Sequence, residues 1–192
     1  MVKLLGIPGS LRAGSYNSML VREAARLFAP DEFTFADLRL PLYDGDLEAR
    51  GMPDAVLTLC DRIREADAIV ISTPEYNKNP SGVLKNALDW VSRVRPVPLA
   101  GKPVAVVSAA AGLAGGQRAK AALYLMLIPF KVRLVAEVEV TVGNAASRFD
   151  EHGRLTDERL LAALERQMAA LRACAGPPVA PGTGSGPGAA GG

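Results

Sequence analysis

Two short stretches of this chain are apolar at nearly every position. Residues 66–72 read Ala-Asp-Ala-Ile-Val-Ile-Ser, and residues 103–109 read Pro-Val-Ala-Val-Val-Ser-Ala. A strand with one wet face alternates apolar and polar side chains, whereas a strand that is apolar throughout is buried on both faces. Residues 2–7, Val-Lys-Leu-Leu-Gly-Ile, have the same character and end at Pro8-Gly9. Runs like these need cover from two sides, which restricts the fold to a sheet sandwiched between layers of helix.

The segments between them supply that cover. Helical spacing of apolar residues predicts helices over residues 17–28, 54–65, 81–94, 116–127 and 156–174. The last carries Leu160, Leu161, Leu164, Met168 and Leu171 on one stripe. Residues 33–38 predict a weaker strand, and residues 131–142 predict one strand or two broken pieces. Residues 41–53, punctuated by Pro41, Gly45, Gly51 and Pro53, predict loop. Strand and helix thus alternate five times over. The expected fold class is α/β, a flavodoxin-like doubly wound five-stranded parallel sheet of order 2-1-3-4-5 with helices on both faces. Residues 1–174 are expected to form one domain. Residues 175–192, almost entirely Gly, Pro, Ala, Ser and Thr, are expected to be a disordered tail.

Bulk properties exclude several function classes. The 192 residues carry a net charge of only +2 with no basic block, which gives no push toward nucleic acid or a membrane surface. The single histidine, His152, sits in a polar turn, and the two cysteines, Cys60 and Cys174, are apart from one another, so neither a metal site nor a disulfide is expected. No apolar run approaches the ~20 residues of a membrane span. With no leader visible before residue 6, the expected location is cytoplasmic.

In sheets of this kind ligands bind beyond the carboxyl ends of the strands. The loop after the first strand reads Gly9-Ser-Leu-Arg-Ala-Gly-Ser-Tyr-Asn17-Ser18. Its hydroxyls, the Asn17 amide, one fixed cation (Arg12) and a helix N-terminus suit a phosphate. It is not a P-loop, because Ser15-Tyr16 stands where Lys and Ser/Thr would follow, and it lacks the GxGxxG spacing. Asp37, near the end of the second strand, is at the place of a ribose-binding acid, although those glycines are missing. A polar turn with a helix cap remains the plain alternative. The loop after the third strand, Ser72-Thr-Pro-Glu-Tyr-Asn-Lys-Asn-Pro-Ser81-Gly82, offers an aromatic and amides as a wall for a flat heteroaromatic ring. The glycines of the loop after the fourth strand, Gly112, Gly115 and Gly116, let backbone approach a ligand, or simply form a flexible turn.

Together these loops resemble the NADPH-dependent FMN reductase family of flavodoxin-like quinone and chromate reductases. The resemblance rests on residues 9–17, on Pro74-Glu-Tyr-Asn77, on Leu84-Lys-Asn-Ala-Leu-Asp-Trp90 and on Gly112-x-x-Gly-Gly116. It implies FMN as cofactor and NADPH or NADH as co-substrate. Ser10, Leu11, Arg12, Ser15, Tyr16 and Asn17 would lie at the FMN phosphate, with Ser10, Arg12, Ser15 and Asn17 holding it. Pro74, Glu75, Tyr76 and Asn77 would line the isoalloxazine, and Ser108, Ala109 and Gly112 would approach its other edge. The flavin carries the chemistry, so no protein acid, base or nucleophile is expected. The expected activity is reduction of quinones or other small oxidants (FMN, chromate, ferric, azo or nitro compounds) by ping-pong hydride transfer. A flavodoxin-type electron carrier is the alternative, disfavoured by the near-neutral, slightly basic charge balance; a nucleotide-binding regulator is a third.

Two departures from the family pattern stand out. Ala109 and Ala110 occupy positions where the family often has hydroxyls, and Pro80 comes one place early before Ser81-Gly82. Arg93, Arg95 and Arg118 are candidates to sit beside the ring. Finally, helix 81–94 has apolar residues beyond one stripe. Val83, Trp90 and Val94 are expected to be partly wet in a monomer, which, with the resemblance, implies a homodimer or homotetramer built on this helix with Trp90 at or beside the interface; the plain alternative is that Trp90 folds under the loop 95–101.

Overall fold

A computed structural model of the protein describes residues 1–175, so the expected tail lies, apart from Ala175, outside the described residues. The sheet is built from β1 (Lys3–Pro8), β2 (Glu32–Phe35), β3 (Ala68–Thr73), β4 (Pro103–Ala109), β5 (Arg133–Val135) and β6 (Thr141–Val142). The pairings between these strands are all parallel, and the order is β2-β1-β3-β4-β5. The flavodoxin-like order is therefore present. The segment expected as one strand or two is two. β5 pairs with the first half of β4 (Val104 opposite Leu134), and β6 pairs with its last two residues (Ser108 opposite Thr141).

Among the described residues there are six α-helices, α1 (Tyr16–Phe28), α2 (Gly45–Ala49), α3 (Asp54–Glu65), α4 (Gly82–Val91), α5 (Gln117–Leu127) and α6 (Glu158–Cys174), and all but the short α2 pack on the sheet. Alternation along each buried strand divides the core in two. Leu5, Ile7, Ile69, Ile71, Val104 and Val106 face α3, α4 and α5. Leu4, Ala68, Val70, Ala105 and Val107 face α1 and α6. Close approach of α1 depends on Gly6, where an added Cβ would collide with the side chains of Val21 and Phe33. Most helices are started by side chains: Ser15 accepts from Ser18 N, Ser81 from Leu84 N, and Asp157 from the N–H groups of Arg159 and Leu160. The loop expected over residues 41–53 contains the short α2, started by Asp44, whose carboxylate accepts from Asp46 N.

One expectation is overturned. Trp90 is 0% exposed within a single chain. Its indole N–H donates to Pro41 O at 2.8 Å, and Tyr43 meets the ring edge-on with centroids 5.0 Å apart. The segment after β2 crosses over α4, so helical periodicity alone placed on the surface a side chain that a distant loop covers.

Candidate functional site

The loops after β1, β3 and β4 open at one end of the sheet because parallel strands deliver all their carboxyl ends to the same edge. They are tied to one another by buried polar groups. Gly9 N donates to Ser72 O at 2.7 Å, and a Cβ on Gly9 would stand 3.0 Å from that oxygen. The Ser81 hydroxyl donates to Gly9 O at 2.6 Å while capping α4. This double use of Ser81 accommodates the early Pro80: the proline precedes the cap and the helix starts on Gly82.

The side chain of Asn17 is committed within the fold. Asn17 is 4% exposed, and its side chain faces the fold rather than the open loop. Nδ2 donates to Ala109 O at 2.9 Å, while Oδ1 accepts from Ala109 N at 3.0 Å and from the Ser72 hydroxyl at 2.7 Å. A carboxamide matches the paired donor and acceptor of one residue in a strand, so Asn17 joins α1 to the ends of β3 and β4. What remains for an anion at this helix start is backbone. Tyr16 N and Asn17 N are first-turn groups with no intrachain acceptor among the described residues. Ser10 and Arg12 are beside them. The Ser10 hydroxyl accepts from Arg12 N at 3.4 Å, and the guanidinium reaches Gly14 O at 2.9 Å and lies 5.5 Å from the Tyr16 ring centroid. Leu11 is on the exposed outer side of the same loop.

In the second loop Tyr76 and Asn79 exchange backbone hydrogen bonds of 2.9 and 3.0 Å around Asn77 and Lys78, whose φ angles are 51° and 66°. This is the tight turn in which asparagine is favoured at positive φ, and it presents the Tyr76 ring to solvent. Glu75 in the same loop is engaged within the protein. Its carboxylate accepts from Arg118 N at 3.1 Å and Ala119 N at 3.2 Å. α5 begins at Gly116 with no side-chain cap of its own, so Glu75 caps it from another loop. The Arg118 guanidinium is 3.9 Å from the same carboxylate. Of the three arginines considered, Arg118 alone is at these loops. Arg93 pairs with Glu48, and Arg95 turns back to the end of α4.

In the third loop Ser108 is fully buried and donates to Gly115 O at 2.7 Å. Ala109 N is taken by Asn17 and Ala110 N by Val142 O. The N–H groups of Ala111 and Gly112 are left without an intrachain acceptor among the described residues. The residues present therefore fit FMN. The start of α1 provides uncommitted N–H groups and an arginine for a phosphate, the turn at Tyr76 provides an aromatic wall, and Ala111 and Gly112 provide donors for a polar ring edge. Sequence reasoning missed Ser72 and Ser81. Hydroxyls at strand ends and helix starts were the available signal, but their partners are 55 and 72 residues away.

The cysteines take no part. Burial pushes the Cys60 thiol up to about 11, which keeps it protonated and inert. His152 is in the exposed turn 150–153.

Comparisons with known proteins identify the family. The profile of the NADPH-dependent FMN reductase family matches residues 2–147. An NAD(P)H-dependent FMN reductase of Pseudomonas aeruginosa is 43% identical over 173 residues, covering 89% of this chain and 94% of that protein. A quinone reductase of Escherichia coli is 36% identical over 178 residues, covering 88% and 93%. Among solved structures, the flavoenzyme NAD(P)H:(acceptor) oxidoreductase of Paracoccus denitrificans superposes with a TM-score of 0.81 at 31% identity, covering 90% of this chain and 96% of that one. The chain belongs to the NADPH-dependent FMN reductase family and is an FMN-dependent NAD(P)H oxidoreductase of flavodoxin-like fold.

Proposed function

We propose that the protein reduces quinones and other small oxidants at a single open cleft, which NAD(P)H and the oxidant occupy in turn. The observation that carries this reading is the convergence of three cross-tied loops around uncommitted N–H donors, with an exposed tyrosine beside them. The names of the relatives in Pseudomonas aeruginosa and Escherichia coli support the same substrates. Bound FMN supplies hydride acceptance and electron delivery.

The chain's own residues bind and orient. Ser10, Arg12 and the N–H groups of Tyr16 and Asn17 hold the phosphate, with Ser15 fixing the helix start and Leu11 flanking it. Pro74, Tyr76 and Asn77 wall the ring, Ala111 and Gly112 donate to its polar edge, and Ser108 and Ala109 hold that edge in place. Glu75, the one carboxylate in these loops, is committed to α5, so no proton transfer is assigned to it.

The test is steady-state kinetics with a quinone at several NAD(P)H concentrations. Parallel double-reciprocal lines are expected. Intersecting lines overturn the single cleft, and a colourless, inactive protein overturns the reading as a whole.

Assembly and location belong to the same proposal. Leu125 and Ile128 are exposed on α5 and its continuation and support a homodimer or homotetramer. Sedimentation at the mass of one 20.1 kDa chain overturns that part. No helix among the described residues is long and apolar enough to cross a membrane. The two free cysteines support a reducing, cytoplasmic setting.

A further inference from the structure

Tyr16, Met19 and Glu23 are spaced i, i+3 and i+7 on α1, which puts them on one stripe of the helix. That stripe is met by the turn of residues 149–155, which follows β6. The Phe149 ring stacks on the Tyr16 ring, with centroids 5.8 Å apart and 16° between the planes. Gly153 backs onto Met19, where an added Cβ would stand 3.2 Å from Cγ. Arg154 donates to the Glu23 carboxylate at 3.1 Å, and Glu23 is buried. The turn is closed by its own bonds. Phe149 and Leu155 form an antiparallel bridge, and Asp150 N donates to Arg154 O at 3.0 Å. The Asp150 carboxylate accepts from the N–H groups of His152 at 2.9 Å and Arg154 at 2.8 Å. Beside it Arg148 donates to Asp157, the cap of α6, at 2.6 Å.

The stack reaches the cleft through Tyr16. The Arg12 guanidinium lies 5.5 Å from the centroid of the same ring. Among the described residues Arg12 makes no ion pair, and besides the ring it has only Gly14 O, at 2.9 Å. An exposed arginine without a carboxylate partner keeps much of its rotamer freedom, and a ring face within about 6 Å restricts it. That ring is held in turn by the nearly parallel ring of Phe149. We propose that Phe149, outside the three loops of the cleft, is a positioning residue of the phosphate site. It fixes the Tyr16 ring and through it the Arg12 guanidinium, while the Arg154–Glu23 pair keeps the turn on α1. The inference rests on the assignment of Arg12 to the FMN phosphate and adds the residue that aims it.

The test compares FMN with riboflavin, which has the same ring and no phosphate, by equilibrium dialysis of the full chain. Wild type is expected to bind FMN the more tightly. Phe149→Leu keeps apolar bulk and loses the ring face. It weakens FMN about three- to ten-fold, as for loss of an aromatic pair, and leaves riboflavin unchanged. Phe149→Tyr keeps the ring and the FMN affinity. In an Arg12→Ala background Phe149→Leu adds no further loss. Tyr16→Leu breaks the same stack from the helix side, gives the same loss for FMN alone, and serves where Phe149→Leu does not fold.

Equal losses for FMN and riboflavin overturn the proposal and leave Phe149 a packing residue, as does a further loss from Phe149→Leu in the Arg12→Ala background. If Arg12→Ala weakens FMN and neither Phe149→Leu nor Tyr16→Leu does, the proposal alone fails. If Arg12→Ala leaves FMN affinity unchanged, the phosphate site itself is misassigned and the proposal falls with it.

Discussion

Replacing Asn17 by alanine separates a residue that builds the site from one that binds the ligand. The substitution removes three hydrogen bonds, two to the Ala109 backbone and one to the Ser72 hydroxyl. At roughly 1 kcal/mol each they are worth about 3 kcal/mol. The Ala109 N–H, buried and left unpaired, raises the loss toward about 4 kcal/mol. For a chain of this size each kcal/mol shifts Tm by about 2–4 °C, so flavin-free Asn17→Ala should melt roughly 6–16 °C below wild type. Urea unfolding of the flavin-free protein should give the matching loss with an unchanged slope. Flavin affinity falls as well, because the loops after β1 and β4 lose their tie. A phosphate ligand behaves differently: its removal leaves the flavin-free protein almost unaffected and weakens FMN alone. A stability loss under 1 kcal/mol without flavin, together with a large drop in FMN affinity, would refute the assignment of Asn17 as a tie.

Three further outcomes follow from the same geometry. Arg12→Ala should weaken FMN by about 1.5–3 kcal/mol, roughly 10- to 150-fold, with the flavin-free melting temperature unchanged; fluorescence titration measures it, and unchanged affinity removes Arg12 from the phosphate site. Glu75→Ala should cost about 1 kcal/mol in urea unfolding by uncapping α5, whereas Glu75→Gln, which keeps an acceptor, should cost less; equal losses in both variants would show that the N–H contacts are not what stabilises. The last concerns Glu23, which is 2% exposed. Burial pushes its carboxyl up, but hydrogen bonds and charge from Arg26 and Arg154 outweigh this and hold it below its ordinary value of 4.5. A depressed folded-state value means stability that is complete above 4.5 and is lost as pH falls through the lower folded value. Glu23→Gln should flatten the acid limb of a stability–pH curve in that window, and an unchanged limb counts against the pairing.

Much of this protein was legible in its residue order. The unbroken apolar character of β3 and β4 requires burial on both faces, and the helical spacing between them supplies the cover, so the parallel sheet and its order are local patterns added together. The meeting of the loops after β1, β3 and β4 was legible for the same reason, because parallel strands bring their carboxyl ends to one edge. Side-chain roles were not. Asn17 and Glu75 have the chemistry of ligand-binding groups, and only the meeting of loops 92 and 43 residues away commits them to Ala109 and to the start of α5. The same holds for Trp90, whose pattern on α4 does not reveal that Pro41 and Tyr43 cover it. Residue order determines hydrophobic periodicity and where the chain turns, since both act over a few residues. Tertiary structure decides which polar group is left free, since each buried donor must find an acceptor wherever the fold brings one.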